Sequence, residues 1–174
     1  MKRNCLFYIV YLFLIAGCSS FGPTVPAAVV ASSAQGGESA APSIARRTQR
    51  SEALLQALLA LGLDYRYGGN SPVTGFDCSG LVAHVYFEAW NIRLPRNTSA
   101  QSKSGTPVSL AELQAGDLVF YDTLKRPFSH VGIYLGDGKF VHAPNSGAQV
   151  RIESVTSTYW SQRFNGARRV EPAL

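Results

Sequence analysis

The apolar residues change their period once along this chain, and that change limits the folds open to it. Between Thr48 and Trp90 they recur at helical spacing: Leu54, Leu55, Leu58, Leu59 and Leu61, then Leu81, Val82, Val85, Tyr86 and Trp90. From Asp117 onward they alternate, and the segments 117–121, 130–135 and 139–143 read as strands, with weaker strands at 149–152 and 166–170. Helices first and an antiparallel sheet afterwards is an α+β arrangement. The first helix is expected to start near Thr48 or Ser51, to bury its leucines and to stop at Gly62. The second is expected over Asp77–Trp90, followed by a loop that runs to Val108. Residues 48–174 are enough for one domain with a real core.

The segment before that domain has a different character. Lys2 and Arg3 precede an unbroken apolar run of eleven residues, Leu6 to Ala16. As a helix the run would span ~16 Å, well short of the ~30 Å hydrocarbon layer of a bilayer. It is therefore expected to be the apolar part of a signal peptide, residues 1–17. It ends in Ile15-Ala16-Gly17-Cys18, which resembles the lipoprotein box of bacteria. That resemblance implies a lipid-modified Cys18, a chain held to a membrane by its acyl groups, and, with Ser19 next, an outer-membrane address facing the periplasm. Residues 18–47 are rich in Ser, Ala, Gly and Pro and carry no apolar period, so they are expected to be a flexible tether.

The chain has three cysteines, and Cys5 would leave with the signal peptide. If Cys18 carries lipid, Cys78 has no disulfide partner. An exported protein seldom keeps a lone thiol unless it is buried or reactive. Cys78 also stands in Gly75-Phe76-Asp77-Cys78-Ser79-Gly80, where loop becomes helix. A helix start carries positive potential and unsatisfied N–H groups, which favour a thiolate and are able to face an oxyanion. Its thiol pKa is therefore expected to fall. Asp77 is expected to cap the helix rather than to act as a base.

A thiol nucleophile needs a base, and there are three histidines: His84, His130 and His142. His84 lies about 240° round the helix from Cys78 and is expected to be a surface or structural residue. His130 and His142 flank one hairpin. With Gly136-Asp137-Gly138 as a three-residue loop, Leu135 pairs with Lys139, Ile133 with Val141, and Gly132 with His142. Both histidines then share one face, and Val131, Ile133 and Val141 share the other.

These motifs resemble those of the NlpC/P60 family of cysteine peptidases. The likeness lies in Asp-Cys-Ser-Gly at 77–80, Ser-His-Val-Gly-Ile-Tyr-Leu-Gly at 129–136 and Phe-Val-His-Ala at 140–143. It extends to Tyr65-Arg66-Tyr67-Gly68-Gly69, Leu94-Pro95-Arg96 and Gly116–Phe120, so that it spans about residues 50–170 in family order. The stretch Asn70–Thr74 departs from it by its length. The resemblance implies a papain-like core with N-terminal helices on an antiparallel sheet. It implies Cys78 as nucleophile, His130 as base, His142 as the residue that orients the base, and Tyr65 beside the oxyanion. Ser79 is expected to touch substrate.

The implied substrate is peptidoglycan. The implied bond is either γ-D-glutamyl-diaminopimelate in the peptide stem or diaminopimelate–D-alanine in the crosslink. Neither metal nor other cofactor is required, and a monomer is expected. A net charge of +5 spread along an exported chain gives no ground for nucleic-acid binding. Two other readings stay open: a thiol-dependent amidase or acyltransferase on lipid or acyl substrates, and a catalytically silent envelope-binding lipoprotein.

Overall fold

The structure is a computed structural model, and it describes residues 40–172. The expected signal peptide, Cys18 and the first part of the expected tether lie outside the described residues. In chain order the elements are α1 (Ala40–Leu59), β1 (Asn70–Ser71), β2 (Gly75–Phe76), α2 (Cys78–Trp90) and α3 (Thr98–Gln101). There follow β3 (Thr106–Val108), β4 (Leu118–Tyr121), β5 (His130–Gly136), β6 (Lys139–His142), β7 (Arg151–Ser154), α4 (Thr158–Ser161) and β8 (Phe164–Arg169). β1 and β2 form a small hairpin, and the other six strands form one antiparallel sheet in the order β3-β8-β4-β5-β6-β7.

Helix α1 begins at Ala40 rather than near Thr48, inside the stretch read as tether. Alanine and arginine favour helix, and Pro42 stands in the first turn, where a missing N–H costs nothing. Residues 43–48 are exposed, so this extension adds no core. The packing face also differs from expectation. Ala53, Ala57 and Ala60 are buried, whereas Leu55, Leu58 and Leu59 face solvent. Alanines spaced along one side let α1 approach α2 closely, which leucines there would prevent.

The sheet has two covered faces. On one, Leu118, Phe120, Val131, Ile133 and Val141 pack against α1 and α2. On the other, Val119, Tyr121, Phe140 and Ala167 pack with Trp160 of α4. The β5–β6 hairpin pairs Ile133 with Val141 as expected, but its turn is different. Asp137 and Gly138 have φ of 50° and 69°, the signature of a tight two-residue turn. Gly136, not Leu135, stands opposite Lys139, and a bulge after Tyr134 restores the register. The bulge absorbs the residue that the three-residue loop was expected to hold, so the faces come out unchanged.

Candidate active site

Three chain segments meet at the start of α2. Asp77 caps the helix, and its carboxylate accepts the Gly80 N–H at 2.7 Å and the Gly68 N–H at 2.9 Å. Arg96 donates to both Asp77 oxygens at 2.8 Å and to the Gly69 carbonyl at 2.9 Å. Burial would raise the Asp77 carboxyl, but the Arg96 guanidinium and the Gly80 N–H hold it below the usual range. A Cβ at Gly80 would stand 2.0 Å from the Gly69 carbonyl oxygen, so the 68–69 loop rests directly on the helix start. The space on that side of Gly80 is filled by protein backbone.

Cys78 is the first helical residue and the free cysteine among the described residues. The backbone N–H groups of Cys78, Ser79 and Val131 favour its thiolate. Burial is the larger effect, and with the Asp77 charge it pushes the thiol up to about 11. The expected fall in thiol pKa is therefore corrected: the helix start acts in the expected direction and is outweighed by desolvation.

Val131 is also the residue that ties the two halves of the site together, because its neighbour on β5 is His130. His130 is buried at 4% exposure, and its Nε2 lies 2.8 Å from Nδ1 of the fully buried His142. The two rings are nearly perpendicular, at 89°. Trp160 stacks on His130 with centroids 5.5 Å apart. Burial pushes His130 down to about 3, helped by its neighbour His142, and pushes His142 down to about 4. His142 uses Nδ1 for this pair and His130 uses Nε2, which leaves Nδ1 of His130 as the ring nitrogen available to a substrate or thiol.

Tyr65 lies near enough to Cys78 for the sulfur's charge to act on its hydroxyl. Burial first, and that charge second, raise the phenol above its ordinary value. Ser79, expected to touch substrate, is buried instead, and its hydroxyl is engaged by Asp77 at 3.1 Å and by the Arg96 carbonyl at 2.8 Å. It serves the cap. His84 stands apart from the pair: its ring packs on Phe76 at 5.0 Å, and Nδ1 is 4.0 Å from Glu88.

Three further residues complete the site without having been singled out. Arg96 appeared in a motif with no assigned task. Trp160 lay in a segment without a period. Glu153 stands one residue beyond the weak strand read at 149–152. Strand alternation carried on to Ser154 would have placed Arg151 and Glu153 on the His142 face, since β7 pairs Arg151 with His142 and Glu153 with Phe140. A cavity of about 380 Å³ opens beside His130, lined among others by Thr123, Asn145, Arg151, Glu153 and Trp160.

Residues 62–169 match the model of the NlpC/P60 family. This chain belongs to the NlpC/P60 family. It is 43% identical over 121 residues to murein DD-endopeptidase MepH of Escherichia coli (strain K12), across 68% of this chain and 45% of that protein. It is 42% identical over 109 residues to murein DD-endopeptidase MepS/murein LD-carboxypeptidase of the same strain, across 63% of this chain and 56% of that one. The chain thus spans about half the length of the curated relatives it matches. Among solved structures, the NlpC/P60 domain of peptidoglycan hydrolase SagA superposes with a TM-score of 0.61 at 31% identity, over 70% of this chain and 98% of that one. The fold is the α+β, papain-like core of this family.

Proposed function

We propose that this chain is a cysteine endopeptidase of the cell envelope that hydrolyses amide bonds of peptidoglycan. Cys78 is the nucleophile, His130 the base and His142 its orienting partner. The observation that carries this reading is the His130–His142 hydrogen bond of 2.8 Å, on a strand whose next residue, Val131, has a backbone N–H that favours the Cys78 thiolate. The similarity to murein DD-endopeptidases favours the crosslink between stems over the bond within a stem.

His130 Nδ1 takes the thiol proton as sulfur attacks the amide carbonyl. The new oxyanion meets the Cys78 N–H at the helix start and the Tyr65 hydroxyl. The C–N bond then breaks, and His130 returns the proton to the departing amine. Water, deprotonated by the same imidazole, hydrolyses the thioester and regenerates the thiol. The cavity beside His130 sets polar Thr123, Asn145 and Arg151 beside apolar Leu124, Pro144 and Trp160, a mixture that a peptide stem can engage. The leader and Cys18 form a lipid anchor that keeps this domain within reach of the wall.

The test is incubation of the purified protein with a muropeptide fraction, with products identified by mass. Wild type should convert crosslinked dimers to monomers, and Cys78→Ala should not. Retained cleavage by the alanine variant would remove the thiol mechanism.

A further inference from the structure

Beyond the two histidines, the chain of polar groups continues to a carboxylate. His142 is fully buried, and its Nε2 has no hydrogen-bond partner at normal distance. The group facing it is Glu153 of β7, with Oε1 at 3.5 Å. Glu153 is itself held in place: Arg151 Nε donates to Oε1 at 2.6 Å, and Trp160 Nε1 donates to Oε2. Burial would raise this carboxyl, but the Trp160 and Arg151 hydrogen bonds outweigh burial and keep it below the usual range.

We propose that Glu153 is a positioning residue that sets the proton direction of the histidine chain and so prepares His130 to act as base. The inference rests on the reading of His130 as base. A carboxylate only accepts hydrogen bonds. Facing Glu153, His142 carries its proton on Nε2 and presents a bare Nδ1. That lone pair requires His130 to place its own proton on Nε2. Nδ1 of His130 is then bare, and a bare nitrogen is what a thiol proton needs. In the opposite arrangement a lone pair of His142 would face the carboxylate charge, and Nδ1 of His130 would already be protonated. One acidic group at the far end thus selects the competent tautomer of both rings, in the way a buried carboxylate fixes the imidazole of a serine-type triad.

The surroundings are consistent with this assignment. On β7, Glu153 favours protonated His142 and Arg151 opposes it. On β5, His130 faces the ring directly, and from α4 Trp160 contributes a neutral ring against His130 and His142. On β4, the Tyr121 hydroxyl lies within the influence of Glu153 and has no partner of its own. Arg151 is therefore the cation of this group, and it is tied to the same carboxylate.

The test compares wild type, Glu153→Gln and Glu153→Asp of the whole protein. The tautomers of His130 and His142 are read by ¹⁵N imidazole NMR, which needs no activity. In wild type both rings should be protonated at Nε2. Glu153→Gln can turn its amide N–H toward His142, and a second tautomer should appear. On a muropeptide fraction its kcat should fall about tenfold to a hundredfold, less than the about 10²–10⁴ of a lost general base, with KM near wild type. Glu153→Asp should restore the wild-type tautomers and most of kcat. A purely structural role would lower the thermal midpoint and leave the tautomers alone. Unchanged tautomers together with unchanged kcat in Glu153→Gln would overturn the proposal. Should His130→Ala stay active, the base assignment fails instead, while the spectra still report on Glu153.

Discussion

Desolvation at Cys78, which is half-buried, and at His130, which is buried, disfavours opposite charges at rest. Burial holds the thiol up to about 11 and the imidazole down to about 3, which favours a neutral resting pair, and in the proposed mechanism the proton moves as sulfur attacks. Alkylation of Cys78 by iodoacetamide should therefore be slow at pH 7 and accelerate past pH 9, with hydrolysis lost in proportion to modification. Fast alkylation at pH 6 would show a thiolate already formed. His130→Ala should lower the hydrolysis rate by about 10²–10⁴, because it removes the proposed acceptor of the thiol proton. His142→Gln should cost less, since an amide oxygen can still hold the His130 ring. Rates of both variants on one muropeptide fraction decide the order, and the reverse order would refute the assignment. The convergence of Cys78, Tyr65, His130 and His142 on one site is legible in the sequence because each stands in a motif or on a strand with a clear period. Ser79 departs from the expectation of substrate contact because Asp77 and the carbonyl of Arg96, distant in sequence from the helix cap, engage its hydroxyl. Glu153 was missed because its partner, His142, is on another strand whose pairing only the folded sheet defines.

The hairpin of β5 and β6 depends on a position with no side chain. A Cβ at Gly132 would stand 2.6 Å from the Phe140 ring and 2.8 Å from the Val141 carbonyl oxygen. Phe140 packs under this strand, and His142 follows two residues later on the same face. Gly132→Ala should therefore destabilise by about 1–3 kcal/mol, as overpacking in a filled core does, and should weaken activity by displacing the histidine pair. A urea midpoint equal to wild type would show that the ring moves aside freely. β5 and β6 are readable from alternation, whereas β4 is an unbroken apolar run of four residues buried on both faces. β3 was read as loop because it has three residues and one proline, and such an edge strand carries no alternation to detect. The four-residue helices α3 and α4 are too short to show a helical period. In α1 the period was right and the face was wrong. Hydrophobicity pointed to the leucines, while close packing against α2 selects the alanines.

At the scale of the whole molecule, the proposed anchor at Cys18 and the proposed catalytic domain are expected to be separable. Cys18→Ser should abolish incorporation of labelled palmitate and leave muropeptide hydrolysis in extracts intact, and label retained by the variant would sink the anchor. Acid sensitivity, by contrast, belongs to the domain as a unit. His130 and His142 are held neutral by burial, with pKa values pushed from 6.5 down to about 3 and about 4. In the unfolded chain both take up protons near 6.5. As pH falls from about 6.5 toward 4, the unfolded state binds more protons than the folded one, so stability drops across that window. Below about 3 both states are protonated, and the histidines contribute no further loss. The lowered carboxyls of Asp77 and Glu153 act in the same direction at lower pH: their stabilisation is present above the ordinary carboxylate range and lost as pH falls through their folded values. The chain's excess of basic residues also repels itself in acid, so the histidine share has to be isolated by substitution. His142→Gln removes one of the two buried imidazoles and, as a neutral amide, has no proton to bind. Urea midpoints of wild type and His142→Gln, measured at steps between pH 7.5 and 4, should diverge at neutral pH and draw together in acid, with the variant on the shallower slope. Parallel slopes would mean that His142 takes up its proton equally readily folded and unfolded, and the neutral resting pair of His130 and His142 would fall with that result.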